Sequence, residues 1–278
     1  MRLNSFVYLC MSATACNAQA AKSELQSGDR YELTLTRDSA EQGSDGSSSD
    51  SHDQNKIVER VIRARSDGTE LEYDFPEGTS AEERASTWQF PAHVFKPLSG
   101  PTELLDRAEA ERRVDAWLKA AGWSRKVCGH WIFTWNAFLV DCEPESIIKA
   151  VQAFDLPTSL AVDDLVSDPS AIEPGRLSAE TGQTKLRVEL RIDAEKIRLQ
   201  KAQSDVAVGE TLNEPTTLEA ALAKHAHETI SGSIVITFDK DDAGKITRRT
   251  EVTTIETTDP DGVRKTSKTT EVLERRRL

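Results

Sequence analysis

The sequence of 278 residues has no long apolar run and no excess of positive charge. After the first 20 residues, no stretch approaches the roughly 20 consecutive apolar residues that an α-helix needs to span a bilayer. The formal net charge is −12, so general attraction to nucleic acid phosphates or anionic lipids is not expected. We therefore expect no transmembrane segment in the rest of the chain and no nucleic-acid partner.

The common catalytic motifs are also missing. The chain has no Gly-x-Ser-x-Gly nucleophile elbow, phosphate-binding P-loop, dinucleotide fingerprint or His-Glu-x-x-His zinc motif. We expect no cofactor and no metal, and a non-catalytic protein is favoured over an enzyme. Carboxylates are plentiful, with 47 Asp and Glu residues, but a catalytic pair of acids cannot be chosen from sequence alone.

The first 20 residues are typical of a secretory signal peptide. A single positive charge precedes a short apolar run, and residues 18–20 read Ala-Gln-Ala, the small-x-small pattern that signal peptidase cuts. Cleavage between Ala20 and Ala21 predicts a periplasmic or secreted protein. The alternative is a lipoprotein acylated on Cys16, but Ala13 stands where such signals carry a leucine-like residue.

Cysteine is scarce, and its placement is informative. Two of the four cysteines lie in the predicted signal, so the mature chain keeps only Cys128 and Cys142. In an oxidising compartment such a pair predicts a disulfide. If the two residues face each other in a hairpin, the chain reverses at Trp135 with a three-residue loop over 134–136. Closing this loop would stabilise the fold by about 3 kcal/mol.

The same register predicts which side chains share a face of the hairpin. One face carries Cys128, His130, Ile132, Phe138, Val140 and Cys142, and the other carries Trp131, Phe133 and Leu139. Because both faces are largely apolar, we expect the hairpin to be covered on both sides.

A catalytic interpretation of this stretch makes Cys128 a nucleophile and His130 its base. A catalytic thiol has to be reduced and partly exposed, which a disulfide excludes, so the structural interpretation is favoured. If the stretch contacts a ligand, the candidate binding residues are His130, Trp131, Trp135 and Trp117, and core packing is the alternative for each.

Hydrophobic patterning divides the mature chain into two regions and a linker. Residues 21–155 combine alternating strands with amphipathic helices and include a Ser/Asp/Gly-rich stretch at 40–55 that we predict to be a disordered loop. Residues 156–183 are rich in Pro, Asp, Ser and Gly and form the predicted linker. Residues 184–278 end in a predicted three-stranded antiparallel sheet, whose threonine-rich last hairpin is either solvated or a docking edge for a partner strand.

Two patterns resemble metal sites and are interpreted otherwise. His225 and His227 lie two residues apart, and on a helix such side chains point in nearly opposite directions, so we expect both to be exposed. Residues 239–245 resemble the start of a calcium loop, but Ala243 stands at a ligand position and Thr250 stands where the bidentate Glu belongs. A hairpin turn is the better interpretation there.

Three segments, "DGTELEYDFPEG", "WQFPAHVFKP" and "CGHWIFTWNAFLVDC", together resemble an uncharacterised family of exported bacterial proteins. The resemblance extends over most of the mature chain. It implies export and a shared fold, and it implies no activity and no functional residues.

The predicted fold is α+β, with antiparallel sheets in both halves, amphipathic helices packed on them and one cross-strand disulfide. The predicted function is non-catalytic binding in the bacterial envelope, the partner being an unidentified envelope protein or a small hydrophobic ligand. A carrier of such a ligand would have a continuous apolar cavity, by architectural analogy with periplasmic lipoprotein carriers. The alternative is a hydrolase for an envelope substrate, which would show a cleft with at least two clustered acids of perturbed pKa.

Overall fold

The computed structural model describes residues 25–133, 137–180, 184–212 and 214–278. Within these residues the helices are α1 Ala81–Ala85, α2 Arg107–Ala120, α3 Ser146–Gln152, α4 Ala194–Thr211 and α5 Leu218–His225. The strands are β1 Arg30–Gly43, β2 Ser48–Ala64, β3 Gly68–Asp74, β4 Ala92–Pro97, β5 Glu103–Leu104, β6 Trp131–Phe133, β7 Ala137–Leu139, β8 Leu165–Val166, β9 Gly175–Arg176, β10 Ser178–Ala179, β11 Lys185–Arg191, β12 Thr229–Lys240, β13 Ile246–Thr258 and β14 Arg264–Arg277. The predicted cleavage site between Ala20 and Ala21, and Cys16, lie outside the described residues.

One antiparallel sheet joins strands from both predicted regions. Its ten strands follow the order β10-β11-β12-β13-β14-β1-β2-β3-β4-β5. The first strand, β1, pairs with β2 on one side and with the last strand, β14, on the other. The fold is therefore mixed helix and sheet as predicted, but the strands of the two regions form one sheet across the predicted boundary.

The short-range pattern of β11 shows why these segments are strands. Leu186, Val188 and Leu190 alternate with charged residues, and all three are buried. A strand presents successive side chains to opposite faces, so this alternation places one apolar row against the core. The prediction for this strand is confirmed.

The predicted disordered loop at 40–55 is wrong. Strand β1 continues to Gly43 and β2 begins at Ser48, so the polar stretch is the far end of a long hairpin. Ala40, for example, pairs with Lys268 of β14 and with Asp50 of β2. The composition correctly indicates side chains that bury little surface, but the backbone groups of this stretch pair within the β1–β2 hairpin and, on the other side of β1, with the distant strand β14.

The threonine-rich strands β13 and β14 lie in the middle of the sheet. Strand β14 pairs with β13 on one side and with β1 on the other, so the predicted docking edge is wrong. Short strands, β10 and β5, form the two ends of the sheet instead. Short edge strands limit unwanted pairing with other chains.

The apolar core lies on the sheet face that carries Leu33, Tyr73 and Leu273, which we call the inner face. Val114 of α2, Ile147 of α3 and Ile197 of α4 belong to the same buried cluster, so helices from both regions pack on this face. Segment 156–183 adds Ala171 and Leu177 to the cluster. The predicted linker is thus built into the core.

A membrane-spanning helix would have to be both long and apolar. None of the helices in the described ranges meets both conditions.

Candidate functional site

The cysteine hairpin has the predicted register. Trp131 pairs with Leu139 in the small sheet formed by β6 and β7. Cys128 and Cys142 form a disulfide, with their Cα atoms 5.5 Å apart. The predicted disulfide is confirmed, and both cysteines lie just outside the two short strands. The predicted loop and its Trp135 lie outside the described residues.

The hairpin is covered only in part: Val140 and Cys142 are buried, but other side chains are not. The side chain of His130 is 62% exposed, and its Nδ1 lies 2.8 Å from Oε1 of Glu210 on α4. Leu139 is also exposed. A register predicts which side chains share a face, but it does not predict what packs over that face. A hydrogen bond between His130 and Glu210 connects the hairpin to α4.

The tryptophans predicted as ligand contacts lie elsewhere. Trp117 packs edge-to-face on Trp123, with ring centroids 5.5 Å apart, and it is partly buried against the core. Trp131 is also partly buried. Neither tryptophan, nor His130, lines the cavities described below. For Trp117, packing is the role that the structure supports.

A groove separates α4 from the inner face of the sheet. Two adjoining cavities of about 360 and 260 Å³ share Ile197 and Gln200 of α4 and Ile255 of β13 in their walls. We call their combined space the α4 groove. Most of the residues that line it are polar, including Ser39, Ser204, Thr253, Thr269, Glu251 and Glu271.

The sequences of the central strands place this groove beside the core. Inner-face positions recur every second residue along a strand. On β1 they change from Leu33 to Arg37 and Ser39, and on β14 they change from Leu273 to Glu271. One end of each strand therefore contributes to the core, while the other end presents polar groups to the groove.

Two glutamates lie side by side in this groove. Glu251 and Glu271 are directly opposite each other in the pairing of β13 with β14. Glu271 accepts hydrogen bonds from Arg37 Nη2 and Arg249 Nη2, each at 2.8 Å, which is typical of an ionised carboxylate. The pKa of Glu251 is raised, chiefly because burial disfavours its charged form, and the charges of Asp168 and Glu271 raise it further.

Sequence reasoning did not select these two acids. They are 20 positions apart, and only the turn at 259–262 sets them opposite each other. In that turn the amide of Asp259 donates to the carbonyl of Val263, which fixes the register of the whole hairpin. The Asp-Pro-Asp-Gly turn is thus the sequence signal that could have paired them.

A second polar cluster corrects the prediction that His225 is exposed. Its ring is buried, with Nδ1 2.8 Å from Glu228 Oε1 and Nε2 3.1 Å from Asp205 Oδ2. The short helix α5 packs against α4, and this packing covers the ring. His227 is exposed as predicted. Across the described residues, no group of three or more His, Cys, Asp or Glu side chains is arranged to hold a metal ion.

Comparisons with known proteins identify no family. No family model and no curated protein sequence matches the chain. A structure of lipovitellin, described for its lipid–protein interactions, is 10% identical and has a TM-score of 0.36, covering 91% of this chain and 26% of its own. A hot-dog-fold protein of unknown function from Alicyclobacillus acidocaldarius is 11% identical, with a TM-score of 0.12, covering 92% of this chain and 81% of its own. This chain spans about a quarter of the lipovitellin chain, and neither likeness establishes a shared fold.

Proposed function

We propose that the protein is a non-catalytic binding protein of the bacterial envelope, and that the α4 groove holds an amphipathic ligand with hydroxyl groups. The supporting observation is that two cavities, of about 360 and 260 Å³, adjoin along one side of α4 and share three lining residues. Each lies near or within the usual size range of small-molecule sites, roughly 300–1,000 Å³.

The lining of the groove suggests the character of the ligand. Ile197 and Ile255 offer an apolar surface that is shared by both cavities. Around them, Ser39, Thr253 and Thr269 offer hydroxyl groups that both donate and accept hydrogen bonds. Ser39 and Thr269 already share a hydrogen bond at 3.1 Å, but each hydroxyl has further capacity that a purely hydrophobic ligand would leave unused. We therefore refine the expected hydrophobic ligand to an amphipathic one.

The same proposal places the protein in the periplasm or outside the cell. The signal-like residues 1–20 support export, and the disulfide fits an oxidising compartment. In that setting the disulfide keeps the β6–β7 hairpin closed, and His130 joins this hairpin to α4, which forms one wall of the groove.

Titration with octyl glucoside, an uncharged hydroxylated amphiphile, tests the proposed site. Gln200→Trp places a bulky ring in the wall shared by both cavities, whereas Gln203→Trp makes the same change at an exposed position of α4 that lines neither cavity. We expect calorimetric binding to the native protein and to the Gln203 variant, and at least roughly tenfold weaker binding to the Gln200 variant. Equal affinities in the two variants would place the ligand elsewhere.

A hydrolase remains a second candidate because of the two adjacent glutamates. Glu251, with its raised pKa, suits a general acid, and Glu271, held between Arg37 and Arg249, suits an ionised nucleophile or electrostatic partner. Two neighbouring acids in contrasting environments are the arrangement that glycoside hydrolysis uses. The hydroxyl-rich wall of the groove would also suit a carbohydrate.

Chromogenic nitrophenyl glycosides test this second candidate. Hydrolysis should fall at least about 100-fold in Glu251→Gln and in Glu271→Gln, since each would remove one half of an acid pair. Glu256→Gln is the matched control, because Glu256 lies on the same strand but is exposed and does not line the groove. If no glycoside in the series is hydrolysed by the native protein, or if all three variants behave alike, the glycosidase hypothesis fails.

A further inference from the structure

A separate cavity lies at the C-terminal end of β14, away from the α4 groove. Its volume is about 400 Å³, and we call it the β14-end cavity. Leu25, Tyr31 and Ile246 give it an apolar surface, while Lys245 and Arg275 bring positive charge to the same space. The α4 groove uses β14 residues from Lys265 to Glu271, so the two sites share no lining residue on this strand.

Arg275 is fixed in the wall of this cavity by two contacts. Its guanidinium carbon lies 3.9 Å from the centre of the Tyr31 ring, an attractive cation–π contact. Its Nη2 donates to Glu59, and the same carboxylate also accepts from the hydroxyl of Tyr73 at 2.8 Å. The side chain of Arg275 is only 8% exposed, and its Nε has no hydrogen-bond partner. The guanidinium is therefore buried with unused donor capacity.

Lys245 supplies a second cation, whose ammonium group is not engaged in a salt bridge. Within the described ranges, no salt bridge involves its ammonium group. Asp241 is the acid that lines the cavity, but its Oδ1 accepts from the backbone amides of Ala243 at 3.0 Å and of Lys245 at 2.8 Å. These amides occupy one oxygen of the carboxylate. The cavity wall thus offers more donors than acceptors.

The neighbouring arginines do not add free charge. Arg276 pairs with Glu32 at 3.0 Å, and Arg277 pairs with Asp29 at 2.6 Å. A highly charged ligand would therefore find only Lys245 and the unpaired Nε of Arg275. This arrangement fits a single negative charge attached to an apolar body.

We propose that the β14-end cavity binds a monocarboxylate with a medium-length hydrocarbon chain. The carboxylate accepts hydrogen bonds from Lys245 and Arg275, because charge-assisted bonds to a carboxylate are stronger than neutral ones. The hydrocarbon chain packs on Leu25, Tyr31 and Ile246, and it gains free energy by leaving water. This site is independent of the function proposed for the α4 groove.

Calorimetric titration with three probes tests the chemistry of the ligand. Octanoate carries both features, octanol has the chain without the charge, and inorganic phosphate has charge without a chain. We expect octanoate to bind at least roughly tenfold more tightly than either of the other two. Phosphate that binds as tightly as octanoate, or octanoate that does not bind, would overturn the proposal.

Variants then locate the binding site. Lys245→Gln removes the positive charge proposed to bind the carboxylate, and Ala243→Trp obstructs the cavity from an exposed turn. We expect each to weaken octanoate binding about tenfold. Lys268→Gln makes the same charge change at an exposed position that lies outside the cavity and should leave affinity unchanged. Equal effects of the two lysine variants, or loss of octanoate binding in Gln200→Trp of the α4 groove, would contradict this assignment.

Discussion

At the scale of single residues, histidines are used as links between elements. Four of the five lie against carboxylates: His52 with Asp38, His93 with Glu70 and Asp106, His130 with Glu210, and His225 with Asp205 and Glu228. His225 is the most buried of them, and both of its ring nitrogens face an acid. Both of these acids, Asp205 and Glu228, have lowered pKa values.

Because of this cluster, we expect the free energy of unfolding to depend on pH. Hydrogen bonds from Lys224 and His225 lower the pKa of Asp205, although burial opposes them. Burial also acts to raise the pKa of Glu228, but hydrogen bonds from Lys201 and His225 outweigh it. An acid whose pKa is lower in the folded state stabilises the fold above its unfolded pKa of about 4. That contribution is lost as pH falls through the folded pKa.

We therefore expect Asp205→Asn to lower the free energy of unfolding by about 1–2 kcal/mol near neutral pH. As pH falls below the unfolded pKa of about 4, the difference between the native protein and the variant should narrow, because the stabilisation from the ionised carboxylate is progressively lost. Urea unfolding at about pH 7 and about pH 3 measures both effects. Asp242→Asn, at an exposed turn, is the control and should change neither value. A constant difference between native protein and variant at both pH values would contradict the assigned role.

At the scale of elements, the disulfide hairpin is a small unit attached to a large sheet. Its two strands have three residues each, and they contact α4 instead of joining the ten-stranded sheet. So short a hairpin is only marginally stable by itself. The Cys128–Cys142 bond and the His130–Glu210 pair therefore have to hold it in place.

Replacing both cysteines by serine should lower the free energy of unfolding by about 3 kcal/mol, since the unfolded chain regains the entropy of a 14-residue loop. Urea unfolding with and without reductant measures this effect. Reductant should destabilise the native protein by a similar amount and leave the serine variant unchanged. If reductant has no effect on the native protein, the disulfide does not contribute to stability in solution.

At the scale of the whole molecule, strand β1 joins the strands of the two predicted regions into one sheet. Because β1 lies between β2 and β14, neither predicted region contains a complete set of strand partners. The core cluster also includes residues from both regions. We expect the two regions to unfold together as one cooperative unit.

The positions of the tryptophans allow a direct test of this cooperativity. All five lie before residue 136, so their fluorescence reports on the first region. Leu190→Ala in β11 removes a buried side chain at the opposite end of the sheet and should cost about 2–5 kcal/mol. We expect the fluorescence and circular dichroism midpoints to fall together, whereas Glu189→Ala on the exposed side of β11 should shift neither. A fluorescence midpoint that does not move would support two independent domains.

The sequence by itself determined the features that depend on neighbours along the chain. The alternation of apolar and charged residues in β11 identified which of its side chains are buried. The spacing of Cys128 and Cys142 predicted both the hairpin register and the disulfide. The alternation of side chains along a strand and the turn of a hairpin both involve residues that are close in sequence. Local chemistry is therefore sufficient to determine them.

Only the tertiary structure decided the features that depend on distant partners. Residues 40–43 continue β1 alongside β14, which is more than 200 residues away in sequence, and His225 is buried because α5 packs on α4. The α4 groove likewise joins β1, β13, β14 and a helix that are separated by long stretches of sequence. Backbone pairing and burial are satisfied by whichever groups are near in space, and that proximity is set by the assembled sheet, not by local composition.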